Sequence, residues 1–338
     1  MRQRITPKHF IKKNWLLVGI LCCIFLAGIY PKLGSKEGPL KTEYSVKYGA
    51  VSLMFLISGF SLKTDSIFHT FQQYKLHLFI QIFTFILIPI YTQGFVRFIT
   101  IFGINSWVLK GLVTVACMPP PVSSAVILTR AAQGNEIAAI FNSVFGSFLG
   151  IIFTPILLLF NLGSTTIVPL FGTVIQLTTT VLLPLVLGQL IKVFTQFRAH
   201  NIPLNTISQC ALLFVIYTTF CDSFSVPETG LSALDVIFTI LSVLILQITL
   251  IIISFKTSTL LKKVFGPADV IAILFCSTHK SLTLGIPILK IMFHGYSHLS
   301  QISLPLLIYH PTQIILGGLM VSQLKDWLHS QKTKRLPI

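Results

Sequence analysis

Apolar residues run along this chain in long stretches, interrupted by short polar segments rather than alternating with them. An α-helix needs roughly 20 such residues to cross a bilayer. Ten stretches meet that pattern, over about 14–31, 44–62, 76–101, 107–131, 135–161, 170–195, 204–221, 232–255, 268–293 and 301–324. The pattern predicts an all-α polytopic membrane protein. The fourth and ninth stretches are interrupted. Cutting after the fifth gives halves 1–164 and 165–338, each with its interruption in the fourth of five members. Five is odd, so the second half enters the membrane from the opposite side, and two inverted five-helix repeats follow.

The first interruption is Cys117-Met118-Pro119-Pro120-Pro121-Val122-Ser123-Ser124, and the second is Cys276-Ser277-Thr278-His279-Lys280-Ser281-Leu282-Thr283-Leu284-Gly285-Ile286-Pro287. Proline lacks a backbone donor and blocks the helix behind it, so Pro119, Pro120 and Pro121 break the fourth helix. Gly285 and Pro287 are expected to break the ninth. In hydrocarbon the freed carbonyls need partners, which restricts such breaks to places beside protein, water or a bound solute. Broken segments at corresponding places in two halves point to the binding site of a secondary transporter.

Composition agrees: 53% of residues are hydrophobic, 10% are charged and the mean hydropathy is +0.84, which excludes a soluble domain. The six cysteines lie in or beside apolar stretches and read as reduced packing residues. The net charge of +16 is divided among the loops, which suits orientation and anionic lipid headgroups rather than nucleic acid. The first stretch follows five basic residues, Arg2 to Lys13, but no Ala-x-Ala cleavage site follows it, so it reads as a span. With the N-terminus inside, inner segments hold 17 lysines and arginines. Outer ones hold 7, namely Lys32, Lys36, Lys41, Lys47, Arg97, Lys110 and Lys290. Both termini are therefore placed in the cytosol. The acidic loop of Asp222, Glu228 and Asp235 falls outside. Lys332 to Arg335 form a short basic tail at the inner leaflet.

Candidate chemistry gathers at the interruptions. Ser123 and Ser124 open a half-helix whose positive end suits an anion, while carbonyls on the preceding side suit a cation. The plainer alternative is a kink with back-bonding serines. Lys280 lies mid-span, where a charge costs about 2.5–3.5 kcal/mol on insertion scales and marks a functional position. Its roles stay open: a fixed cation replacing a metal ion, a proton carrier, a contact for an anionic substrate, or an ammonium held by carbonyls of the opposite break. Thr278, His279 and Ser281 flank it. Asn142 and Ser143 either reach Ser123 and Ser124 from the fifth stretch or bond between helices. His310 and Gln313 sit in the polar run Tyr309 to Gln313, which faces Thr154-Pro155 by repeat symmetry. Gly146 and Gly150 form a small-residue packing face. His294 and His298 are too few for a metal site. Hydrolase and nucleotide-binding signatures are absent and no acidic residue sits at either break, so no enzyme and no cofactor is expected.

These two motifs, with Gly134-Asn135-Glu136, Ala138 to Ser143, Phe145 to Gly150 and Leu306 to Pro311, resemble the bile acid:sodium symporter superfamily, most closely a divergent branch of it. The resemblance covers essentially the whole chain. It implies panel and core domains and a crossing of broken helices four and nine. It also implies sodium ligands at Ser123 and Ser124 and near Asn142 and Ser143. The family's glutamate-glutamine pair in the second break is missing; Ser277, Thr278, His279 and Lys280 stand there instead. That departure speaks against sodium coupling and against bile acids. For this branch the resemblance implies a role in calcium homeostasis and secretory-pathway glycosylation, in the plasma membrane, endoplasmic reticulum or Golgi. The resulting expectation is a secondary transporter of a small organic anion working by alternating access, with lipid and solute as partners. The rival is a non-transporting regulator of calcium entry, with a calcium-entry protein as its partner.

Overall fold

The structure is a computed structural model that describes residues 15–35, 38–61, 73–121, 124–162, 175, 179–180, 183–195, 203–225, 233–293 and 298–333. Among them every regular element is helical. In chain order the main ones are α1 (Trp15–Ile29), α2 (Ser52–Ser61), α3 (Tyr74–Phe102), α4 (Ser106–Ala116), α5 (Ser124–Ala131), α6 (Glu136–Leu162), α7 (Leu183–Thr195), α8 (Leu204–Phe224), α9 (Ala233–Leu260), α10 (Pro267–Thr278), α11 (Leu282–Met292) and α12 (Leu299–Thr333), with short helical pieces at Pro31–Leu33, Thr42–Tyr44 and Ser45–Val51 between α1 and α2. Among the described residues α3, α6, α9, the pair α10–α11 and α12 are long and apolar enough to cross a membrane. Large side chains such as Ile101, Phe160, Phe194 and Leu260 point outward, as a lipid-facing surface requires.

Helix ends follow local chemistry. Asn105 caps α4 by accepting from the Trp107 amide at 2.9 Å. The α4 helix stops at Ala116 because Pro119, Pro120 and Pro121 supply no donors. Pro267 occupies the first turn of α10, and the Asp269 carboxylate accepts from the Gly266 amide at 2.9 Å. Ser281 caps α11, its Oγ accepting from the Leu284 amide at 3.2 Å.

The second break comes earlier than Gly285 and Pro287. Both residues lie inside α11, and the extended segment is His279 to Ser281. The interrupted backbone at 278–280 finds its partners in Tyr309 and Gln313. Gly285 instead permits close packing, since a Cβ there would lie 2.5 Å from Leu306 Cδ2 and 3.1 Å from Met118 Sδ. Lys290 also needs correction. It belongs to α11, is buried, and donates to Thr218 Oγ1 at 2.6 Å, so it is not a loop charge. The last helix runs beyond 324 to Thr333. Ser123, Glu228, His294, Lys334 and Arg335 and the basic residues before Asn14 lie outside the described residues.

The chain forms two compact units. One comprises Met1–Leu62, Val168–Gly230 and Leu289–Ser300; within it α1 packs on α8 and α2 on α7. The other comprises Lys63–Ile167, Leu231–Ile288 and Gln301–Ile338. Each unit draws on both halves of the sequence. In the second unit α10 is the buried centre: Val270 to Thr278 are all buried, and its core includes Ile80 of α3, Leu128 of α5, Ala139 of α6, Ile251 of α9 and Leu324 of α12. Both breaks lie in this unit.

Candidate transport site

The backbone around the proline break poses an accounting problem, because carbonyls left by three prolines are buried and need donors. Ala116 is followed three and four residues later by Pro119 and Pro120, neither of which has an N–H. The Lys280 ammonium supplies the missing donor at 2.8 Å. It also donates to Met118 O at 2.9 Å and Thr84 O at 3.2 Å. The Thr84 carbonyl is free because α3 widens into a π turn over Phe83–Leu87, where Ile88 donates to Phe83 and the next residue is Pro89. Lysine has three donors and no acceptor, and all three are used. Three further carbonyls of the break are covered as well. Cys117 O accepts from Thr154 Oγ1 at 2.8 Å and Pro119 O from the Ser281 amide at 2.8 Å, while Pro120 O takes a long 3.4 Å bond from Ser147 Oγ.

The Ser281–Pro119 bond joins the two breaks directly. At the second break Gln313 clamps the Lys280 backbone: its Oε1 accepts from the Lys280 amide at 2.7 Å and its Nε2 donates to the Lys280 carbonyl at 2.9 Å. His310 Nδ1 lies 3.1 Å from the same Nε2. The Tyr309 hydroxyl donates to Thr278 O at 2.7 Å, and the Thr278 hydroxyl bonds back to Leu274 O at 2.6 Å. Tyr309 to Gln313 and Thr154 therefore serve different breaks rather than each other. Gly146 and Gly150 seat the prolines: a Cβ at either would come within 2.5 Å of Pro120 or Pro119 respectively.

Ser124 and His279 do meet, with Oγ and Nδ1 3.4 Å apart. His279 is fully buried against Phe275, and its Nε2 has no hydrogen-bond partner. Asn142 does not reach Ser124. Its amide nitrogen lies 2.8 Å from His77 Nδ1 and donates to Ala138 O at 2.9 Å, and its Oδ1 accepts from Gln81 Nε2 at 3.3 Å. Ser143 lies 3.9 Å from Cys276 Sγ. The reason is rotational: Asn142 and Ala138 are one turn apart on the α6 face turned to α3. Gln81 Oε1 and Thr84 Oγ1 are buried without partners beside this cluster. The sequence reading missed the α3 contribution. His77, Gln81 and Thr84 stand at i, i+4 and i+7 in an otherwise apolar stretch, a stripe readable from spacing.

The Lys280 charge is entirely buried and pairs with no carboxylate among the described residues. Two broken helices thus meet at their breaks, with the Lys280 side chain between them. Residues 14–326 match the SBF-like CPA transporter family. The chain belongs to that family. Among its relatives are sodium/bile acid cotransporter 7 of Xenopus tropicalis, 49% identical over 324 residues covering 95% of this chain and 94% of that protein. Sodium/bile acid cotransporter 7 of Danio rerio is 46% identical over 330 residues, covering 97% and 98%. Solute carrier RCH1 of Candida albicans is 24% identical over 372 residues, covering 95% and 90%. SBF-like CPA membership makes this protein a membrane solute transporter and not an enzyme.

Proposed function

We propose that this transporter carries a small organic anion by alternating access about the meeting point of the two breaks, with the Lys280 ammonium in the place of a coupling cation. One observation carries the reading: Nζ sits among the carbonyls of Thr84, Ala116 and Met118, an all-oxygen cage of the kind that would hold a metal cation. A covalently attached charge there leaves nothing for sodium to do, which accords with the missing acidic residue. The carbonyl dipoles solvate an ammonium there without neutralising it, and a positive charge so placed favours an anion nearby. The N-terminus of α5 adds to the same field. Gln81 Oε1, Thr84 Oγ1 and His279 Nε2, each buried and unpartnered, are polar atoms a hydrated solute could engage. The ten-helix inverted repeat, with the two units acting as panel and core, is the frame we assign to the movement. In the cell we assign it to the plasma membrane, endoplasmic reticulum or Golgi, serving calcium homeostasis and glycosylation in the secretory pathway.

The test is uptake of small radiolabelled carboxylates, phosphates and sulfates into proteoliposomes containing the full chain. Uptake of at least one anion should be unchanged when sodium is replaced by choline, and should vanish in Lys280→Met. Steep dependence on sodium would refute the ammonium's role. Calcium phenotypes that survive Lys280→Met, in cells where it folds, would favour the regulator reading instead.

A further inference from the structure

The α3–α4 hairpin carries cations that the crossing does not use. The chain turns at Gly103, which adopts a left-handed φ of 67°, and α3 and α4 pack against each other as antiparallel neighbours. Arg97 and Lys110 lie six residues before and seven after that turn, so they stand at the same height on facing helices. Both line one cleft of about 500 Å³ within the second unit. Neither forms an ion pair with a described residue. The nearby Asp235 carboxylate is taken by the Asn105 amide, with Oδ1 at 3.4 Å, and does not line the cleft.

The remaining walls have a definite character. Ile90 and Val113 supply an apolar side at one end, while Gln93 and Asn161, hydrogen bonded to each other, supply a polar one. Lys110 Nζ is held 4.0 Å above the Trp107 ring, which fixes the ammonium at a place where tryptophan marks the membrane interface. The floor is open at Gly94, where an added Cβ would meet no atom within 4 Å. Two cations with no ion-pair partner and no lining carboxylate among the described residues, beside an apolar wall, describe a receptor for an anionic headgroup with a hydrocarbon tail.

We infer that the Arg97–Lys110 cleft of the α3–α4 hairpin is a binding site for a phosphate-bearing amphiphile, distinct from the crossing of the breaks. The guanidinium and ammonium take the phosphate oxygens, and the alkyl part lies against Ile90 and Val113. An acidic membrane phospholipid and a soluble organic phosphate share this chemistry.

The full chain, purified in a neutral detergent, is titrated with octyl phosphate while the thermal unfolding midpoint is followed. Wild type should shift upward with saturation. Arg97→Gln with Lys110→Gln should weaken the apparent affinity by about tenfold or more, the loss of a charge-assisted hydrogen bond. Gly94→Leu fills the cleft while leaving both charges, and should lose the shift too; it decides the matter if the double variant does not fold. Gly318→Ala on α12, away from the cleft and facing open space, should keep the shift. Native mass spectrometry from phosphatidylcholine nanodiscs doped with phosphatidylglycerol then separates the sources. Phosphatidylglycerol retained by wild type and lost by the variants identifies the lipid, and none retained, with the octyl phosphate shift intact, identifies a soluble ligand. Equal octyl phosphate shifts in wild type, the double variant and Gly94→Leu would overturn the site.

Discussion

Lys280 and Gln313 divide the work at the crossing between side chain and backbone. The ammonium satisfies three carbonyls orphaned by prolines and a π turn, while Gln313 satisfies both polar groups of the lysine's own peptide. Removing either strands buried polar atoms, at about 1–3 kcal/mol for each atom left unsatisfied. Gln313→Leu strands one N–H and one C=O, so its unfolding midpoint should fall clearly below wild type. Gln313→Glu keeps an oxygen for the Lys280 amide but loses the donor to the carbonyl, and should fall between the two. Thermal unfolding of the three proteins side by side checks the order. If Gln313→Leu unfolds with wild type, the clamp contributes nothing and Lys280 is held by its ammonium alone.

At the scale of elements, the proline break is an irregular segment resting on a helix. The α6 helix accommodates it through Gly146 and Gly150, four residues apart and therefore on one face, against which Pro120 and Pro119 rest. Gly146→Ala and Gly150→Ala should each cost about 1–3 kcal/mol through overpacking, because the opposing atoms are rigid rings. Gly318→Ala on α12 meets nothing within 4 Å and should be neutral or slightly stabilising through helix propensity. Chemical denaturation in detergent, or loss of folded protein on heating, distinguishes these cases. Equal stability of all three variants would mean that the prolines are free to move away. The α3 helix contributes differently, since its π turn brings Thr84 O to the ammonium and its His77 and Gln81 hold Asn142.

For the whole molecule, contacts pair segments that the charge pattern places on a common side of the membrane. The Asn105 amide of the α3–α4 turn bonds Asp235 at the start of α9, joining two loops that the lysine and arginine distribution assigns to the outer side. Asn135, in a loop assigned inside, bonds Asp269 Oδ1 at 2.7 Å and the Ala268 carbonyl at 2.9 Å, both at the inner start of α10. Cysteines placed at Phe102 and Leu234 in a cysteine-free background should therefore react with an impermeant maleimide from one face of a sealed membrane. A cysteine at Gln133 should react only from the other. Labelling of Gln133 and Phe102 from the same face would break the topology. The length and spacing of apolar runs sufficed to show membrane helices, because desolvating a polar residue in lipid is costly wherever the helix packs. The triple proline sufficed to locate the first break, because a missing donor is a local property. The i, i+4, i+7 stripe on α3 was equally available, though its polar residues look ordinary without a partner in view. What the tertiary structure alone decided is which groups answer which. Lys280 turns to Ala116, Met118 and Thr84, Asn142 turns to His77 instead of Ser124, and the second break falls at 279–281 where Tyr309 and Gln313 wait. Hydrogen-bond partners separated by up to 196 residues are chosen by packing, and no local rule of sequence carries that choice.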